Sequence, residues 1–245
     1  MSLSWPFEDM HVHSTFSDGA ATIEENISRA RELGMRRITC VDHVRRDTDW
    51  LPDYVAAVES WKGRTEIEVF CGIEAKILTL DGELDMPADT RGVDRVYIAD
   101  HQMPGREGPI HPAAVKESLA AGETSNEQVL AELIQATSHA IAGEPRGVIA
   151  HLFSILPKVG MGEGEVPDAL IVDLAEATRT AGGRIEIDER WRCPGPETVR
   201  HFLERGIPVL ASTDSHRLDT LGQFDFVRAA FGALGLDDQA LRPAA

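Results

Sequence analysis

Long apolar runs are absent: nothing approaches the roughly 18 consecutive apolar residues of a membrane-spanning helix. The longest runs, such as Gly147-Val-Ile-Ala150, are strand-sized. Basic charge is also scarce, with 24 Lys and Arg against 41 Asp and Glu, a net charge of −17. A surface so acidic repels phosphate backbones, so no extended nucleic-acid partner is expected. The three cysteines, Cys40, Cys71 and Cys193, are scattered and odd in number, which argues against a disulfide framework and for a reducing compartment. No basic stretch followed by an apolar one opens the chain, so no signal peptide is expected and the expected location is cytoplasmic. No repeat of 20 to 50 residues and no low-complexity segment appears.

What is present is an ordinary apolar share, 42% of 245 residues, sufficient for a real core. The length suits a single domain over residues 1–245, and α/β barrels run to about this size as one unit. Short Val/Ile-rich runs bounded by Gly, Pro or Asp fall at 9–13, 37–42, 67–74, 95–100, 148–152, 184–188 and 208–213, and read as seven buried parallel strands. Helical patterns lie between them. Thr22-Ile-Glu-Glu25 has the form of a capping box opening a helix that Gly34 stops. Further helices are expected over 52–62, 125–142, 167–181, 194–204 and 218–231. Alternating strand and helix predicts a parallel sheet covered by helices. No G-x-G-x-x-G loop follows the first strand, which weakens a dinucleotide-binding reading.

The polar residues fall into line at the C-terminal ends of these strands. The first ends in His11-Val-His13, followed by Ser17-Asp18-Gly19. The second ends in Asp42-His43, the third in Gly72-Ile-Glu74, the fourth in Asp100-His101, the fifth in His151, and the seventh in Thr213-Asp214-Ser215-His216. Six of the nine histidines therefore sit where parallel strands bring their ends to one face, the face on which α/β barrels build their sites. Along an extended strand residues i and i+2 point the same way, so His11 and His13 can reach one cation. Imidazole and carboxylate are ligands for zinc, manganese or iron, and such mixed shells do not select sharply among them. Nine such groups exceed the needs of one four- to six-coordinate ion and imply two or three cations.

Taken in order, His11-x-His13-(x)4-Asp18-Gly19, Asp42-His43, Gly72-x-Glu74, His101, His151 and Asp214-x-His216 resemble the polymerase and histidinol phosphatase (PHP) superfamily over residues 11–216. The resemblance implies a distorted (β/α)7, TIM-like barrel and a trinuclear metal centre hydrolysing phosphate esters. Carried over residue by residue, one cation takes His11, His13, Glu74 and Asp214. A second shares Glu74 and adds His101 and His151, and a third takes Asp18, His43 and His216. Some branches have a histidine where this chain has Asp18, which leaves the metal open among Zn, Mn and Fe. The stretch from Gly72 to Asp85 also resembles small stand-alone phosphatases of the superfamily.

In this reading a hydroxide bridging two cations is the nucleophile, since coordination lowers the pKa of water from 15.7 towards about 7. Asp214 is a candidate for both ligand and proton shuttle. Arg45, Arg190 and Arg192 are candidate phosphate contacts because a planar guanidinium suits two oxygens at once; Lys76 and Lys158 are weaker ones. Trp191 is read either as a stacking surface or as a cover for the core. Residues 102–122 are long for a βα loop and are expected as a wall or lid, with His111 in solvent. His139 and His201 fall on predicted helices as structural residues, and Asp42 and Asp100, each preceding a candidate ligand histidine, either orient that ring or serve as helix-cap or loop residues.

The function expected is hydrolysis of a small phosphorylated metabolite, a phosphomonoester ahead of a small or nucleotide-like diester. Histidinol-phosphatase activity is the alternative within the superfamily. A proofreading-type exonuclease is disfavoured by the charge. A non-catalytic metal-binding module would need damaged ligand positions, and all nine are filled.

Overall fold

The computed structural model describes residues 7–236. Its seven strands are β1 (Glu8–Val12), β2 (Arg37–His43), β3 (Glu68–Lys76), β4 (Arg95–Ala99), β5 (Gly147–Ile149), β6 (Arg184–Asp188) and β7 (Val209–Ser212). They lie side by side in chain order, and every neighbouring pair is parallel. The two ends of the sheet meet just past β1 and β7: the His13 amide donates to the Ser215 carbonyl at 2.8 Å, and the Ser215 amide to that of His11 at 3.2 Å. The sheet thus curls into a nearly closed, distorted (β/α)7 barrel, as the alternating pattern predicts.

Helices α1 (Ile23–Glu32), α2 (Leu51–Glu59), α3 (Pro112–Ala121), α4 (Asn126–Gly143), α5 (Leu156–Val159), α6 (Asp168–Ala181), α7 (Pro196–Glu204) and α8 (Phe226–Ala233) fill the connections. The Thr22 capping box forms: the Glu25 amide donates to Thr22 Oγ1 at 3.2 Å, and the Thr22 amide donates to Glu25 Oε2 at 2.8 Å. Two cores follow from the alternation along the strands. Ile38, Ile73, Ile98, Ile185 and Ile187 belong to the large core shared with the helices, while Met10, Val41, Tyr97, Val148 and Leu210 form a separate cluster with Ala99 and Ala150. Burial on both faces explains why the strands read as nearly unbroken apolar runs.

Three connections depart from expectation. Residues 112–121 are helix rather than open loop: His111 is its N-cap, accepting from the Ala113 amide at 3.2 Å, and Gly122 ends it in the left-handed conformation. The Pro and Gly that read as loop composition are its boundary signals. The helix expected over 218–231 is confined to α8, because 218–224 folds as turns with Gly222 at φ +72°. The short helix α5 had no counterpart in the sequence reading.

Gly72 of β3 lies where its neighbours leave no room for a side chain. A Cβ there would stand 2.9 Å from both Thr39 Cγ2 and Val41 Cγ2, and 3.1 Å from Tyr97 Cε2. Gly72→Ala is expected to destabilise the protein by about 1–3 kcal/mol through overpacking, read by denaturant unfolding. An unchanged midpoint would show that the interior has slack.

Candidate metal centre

The C-terminal mouth of the barrel gathers the nine residues marked in the sequence. His43 closes β2 beside Glu74 of β3, the two being paired in register. His101 lies two residues beyond β4, and His151 and Asp214 two beyond β5 and β7. His151 (φ 28°) and Asp214 (φ 49°) both carry positive φ, a region that costs a non-glycine residue about 1–3 kcal/mol and tends to persist at functional sites. In both, the chain turns into the left-handed region two residues past the strand, at the residue whose side chain enters the cluster.

Glu74 stands at its middle, 2% exposed. Its oxygens are divided between two groups of imidazoles. Oε1 lies 2.8 Å from His151 Nε2 and 2.9 Å from His101 Nε2. Oε2 lies 2.9 Å from His43 Nδ1, 3.4 Å from His11 Nε2 and 3.5 Å from His13 Nε2. Asp214 Oδ1 is 3.0 Å from His13 Nε2. On the outer side Asp18 Oδ2 lies 3.2 Å from His216 Nε2 and 3.6 Å from His43 Nε2.

A second layer holds these side chains. Both oxygens of Glu186 lie 3.2 Å from His11 Nδ1, which turns Nε2 of that ring towards Glu74; Glu186 Oε1 also accepts from the His151 amide at 2.9 Å. Asp100 Oδ1 is 3.5 Å from His151 Nδ1 and accepts from Ser154 Oγ at 2.5 Å. Asp42 accepts from the amides and hydroxyls of Ser14 and Ser17, at 2.5 to 3.2 Å, fixing the loop that carries Asp18. Gly19 follows because a Cβ there would fall 2.6 Å from the His13 carbonyl. The Trp191 indole N–H donates to Asp214 Oδ2 at 2.9 Å, leaving Oδ1 for the cluster.

The electrostatics are those of a crowded array of opposite charges. Burial opposes ionisation of Glu74, yet His101 and His11 outweigh it and hold the carboxyl well below its usual range. Burial likewise opposes a charged His11, but Glu186 and Glu74 raise it well above an ordinary imidazole. His13 is pushed down to about 4, by burial first, against the pull of Asp214. Asp214 is held below the usual carboxylate range because the His13 ring beside it and the neighbouring His11 outweigh the burial penalty. Asp188 goes the other way: burial, then the charges of Asp214 and Glu186, raise it well above a normal carboxyl.

The donor set fits metal cations. Buried His11 Nε2, both nitrogens of His13, Glu74 Oε2, His151 Nδ1 and Asp214 Oδ1 lack a hydrogen-bond partner, which is costly unless something else satisfies them. Ligand-type atoms lie within 4.8 Å of one another in four groups: His13, Asp18, His43 and His216; His11, His13 and Asp214; His43, Glu74 and His101; and His11, Glu186 and Asp188. Neither Glu186 nor Asp188 was chosen from the sequence. The signal was Arg184-Ile-Glu-Ile-Asp188, whose acidic residues alternate with isoleucines on a strand buried on both faces.

The basic candidates separate. Arg190 Nη1 reaches both ring nitrogens of His216, at 2.5 and 3.0 Å, and lies 3.6 Å from Asp214 Oδ2. Arg45 and Lys76 line a cavity of about 840 Å³ that opens onto Asp18, His43, Glu74 and His101. The Arg192 guanidinium stands over the Phe226 ring at 5.7 Å from its centroid. Lys158 Nζ lies over the Trp191 ring at 4.2 Å. Trp191 is thus at the mouth and 36% exposed rather than a core cover. His139 and His201 lie on α4 and α7, away from the site. Cys40, Cys71 and Cys193 are buried free thiols. Among the described residues no helix is long and apolar enough to cross a membrane.

A seven-stranded parallel barrel with histidines and carboxylates ringing its C-terminal mouth defines a class of metal-site barrel. The chain belongs to the PHP domain family, which matches it over residues 9–188. Among solved structures it is similar to a histidinol phosphate phosphatase from Lactococcus lactis subsp. lactis in complex with zinc, L-histidinol and phosphate: TM-score 0.65, 17% identity, covering 96% of this chain and 94% of that one. It is also similar to a protein from Listeria monocytogenes provisionally assigned as a histidinol phosphatase: TM-score 0.60, 15% identity, covering 88% and 97%. At these identities the likeness is one of fold. No curated protein matches the chain.

Glu186 is the support most open to test. Glu186→Ala releases the His11 ring and the His151 amide together, and zinc affinity is expected to fall about 10–100-fold, as for other outer-shell carboxylates. Competition with a chromogenic chelator measures it. Unchanged affinity in a folded variant would show that His11 needs no such support.

Proposed function

We propose that this protein is a metal-dependent phosphoesterase that hydrolyses small phosphomonoesters at a centre of two or three Zn, Mn or Fe ions. The observation that carries this reading is the division of the Glu74 carboxylate, one oxygen towards His101 and His151 and the other towards His11, His13 and His43. A buried carboxylate so shared suits two neighbouring cations better than one. On this reading His11, His13, Glu74 and Asp214 hold the first ion, Glu74, His101 and His151 the second, and Asp18, His43 and His216 the third. When bound, such ions acidify water to near neutrality and offset charge on phosphoryl oxygens.

The remaining work falls to side chains of the chain itself. Arg190, beside His216 and Asp214, presents a fork of donors for phosphoryl oxygens. Trp191 keeps Asp214 Oδ2 engaged, so that Oδ1 faces the reacting region, from which Asp214 would pass the proton of the attacking water on to the leaving oxygen as the phosphorus–oxygen bond breaks. The net charge of −17 favours a small substrate that enters the mouth over a nucleic acid that must lie along the surface. The Lactococcus neighbour holds zinc and phosphate, which agrees with phosphate chemistry on this fold.

A panel of phosphate esters run with Mn, Zn and Fe in turn, beside single-stranded oligonucleotides, tests the reading. Phosphate release from small monoesters, abolished by chelation and restored by metal, is expected. Release only from oligonucleotides, or none from metal-loaded protein, contradicts it. Asp214→Asn separates the two duties of that residue: with metal content retained, turnover is expected to drop about 10²–10⁴-fold, the usual range for loss of a general base. An unchanged rate at full metal content would reduce Asp214 to a ligand.

A further inference from the structure

The cavity of about 840 Å³ beside the centre has walls of two distinct kinds. One is aromatic. Phe16 and Trp50 lie 5.6 Å apart, and both pack on buried Tyr54, at 5.3 and 5.9 Å between ring centroids. Both are only half-buried, and with Val44 they give the cavity an apolar side. The other wall carries charge. Lys76 follows Glu74 by two residues on β3, so it leans to the same face of the strand. Its Nζ is 3.4 Å from Asp85 Oδ2, while Asp85 Oδ1 accepts from the Arg46 amide at 3.0 Å.

Arg45 completes this wall. Its amide donates to Thr48 Oγ1 at 2.8 Å, but among the described residues its guanidinium makes no hydrogen bond or ion pair. Arg29, Arg31, Arg46, Arg91, Arg179 and Arg217 all pair with carboxylates. Arg45 thus faces the cavity with a guanidinium that no carboxylate of the described residues neutralises. Outside the proposed ligands the cavity wall therefore carries Arg45 and the Lys76–Asp85 pair, one positive charge in excess, and its only carboxylate is already engaged.

We propose that this cavity receives the leaving group of the substrate, and that it selects one with a planar apolar portion and an anionic substituent over one bearing an amine. The inference rests on the phosphoesterase reading above and deepens it. The ring of the leaving group lies against Phe16 and Trp50, and its carboxylate or second phosphate meets Arg45 and Lys76. An ammonium at the same place meets the unpaired charge of Arg45 and a Lys76 that already holds Asp85, with no free carboxylate to receive it. L-histidinol phosphate, with its amine, falls in the disfavoured class.

Three aryl phosphates that differ only at the para position test this on metal-loaded protein: 4-carboxyphenyl, phenyl and 4-(aminomethyl)phenyl phosphate. The expected order of kcat/KM is carboxyl, then unsubstituted, then aminomethyl, with at least about a tenfold gap between the extremes that shrinks as salt is added. Lys76→Met is expected to bring that gap to within about threefold. Should that variant fail to fold, the exposed Arg45→Gln is expected to shrink the gap as well. Equal rates for all three esters, preference for the amine, or a gap that both variants leave intact would overturn the inference while leaving the phosphoesterase reading in place. No phosphate release from any ester at full metal content would overturn both.

Discussion

A carboxylate at the centre of a barrel, ionised and almost without access to water, is the constraint around which the rest of this structure is arranged. Glu74 cannot stay charged in so dry a place without polar neighbours to compensate it, and five imidazoles approach it at 2.8 to 3.5 Å. Imidazoles in turn repel one another when charged, so they are held apart by further carboxylates: Glu186 behind His11, Asp100 behind His151, Asp214 beside His13 and Asp18 between His43 and His216. The result alternates in sign outward from the middle. Cations occupying that middle perform for the buried donors what shared protons perform without them, and with less mutual repulsion among the rings.

The barrel makes this affordable in conformational terms. Each strand is pinned on both sides by its neighbours, so the residues at its end have little freedom left to lose when they are brought together. The two positions of positive φ, His151 and Asp214, lie where the strand hydrogen bonds have stopped and rigid strands adjoin.

Much of this was legible in the sequence for physical reasons. Seven Val/Ile-rich runs announce seven strands because both faces of each are buried. The nine ligand-type residues could be picked out because parallel strands must deliver their ends to one rim, so polar residues that recur there coincide in space. Glu186 and Asp188 alternate on β6 in the same way, but that strand ends without a histidine, and a carboxylate there is as readily an ion-pair partner as part of a site. Helix α3 was hidden by its own boundary residues, since Pro112 and Gly122 are as typical of loops as of helix ends. The break before α8 turns on the backbone of Gly222, which a periodic pattern does not register. Trp191 was uninformative by type alone; its bond to Asp214 is a tertiary fact, set by how the loop after β6 folds over the rim.

The dependence on Glu74 can be measured without knowing any substrate. Glu74→Gln keeps the size and removes the charge, and elemental analysis of folded wild-type and variant protein, both prepared with excess manganese and zinc, counts the ions that remain. Two or three per wild-type chain and at most one per variant chain is the result this account predicts. Equal metal content in the two, or none in either, would contradict it.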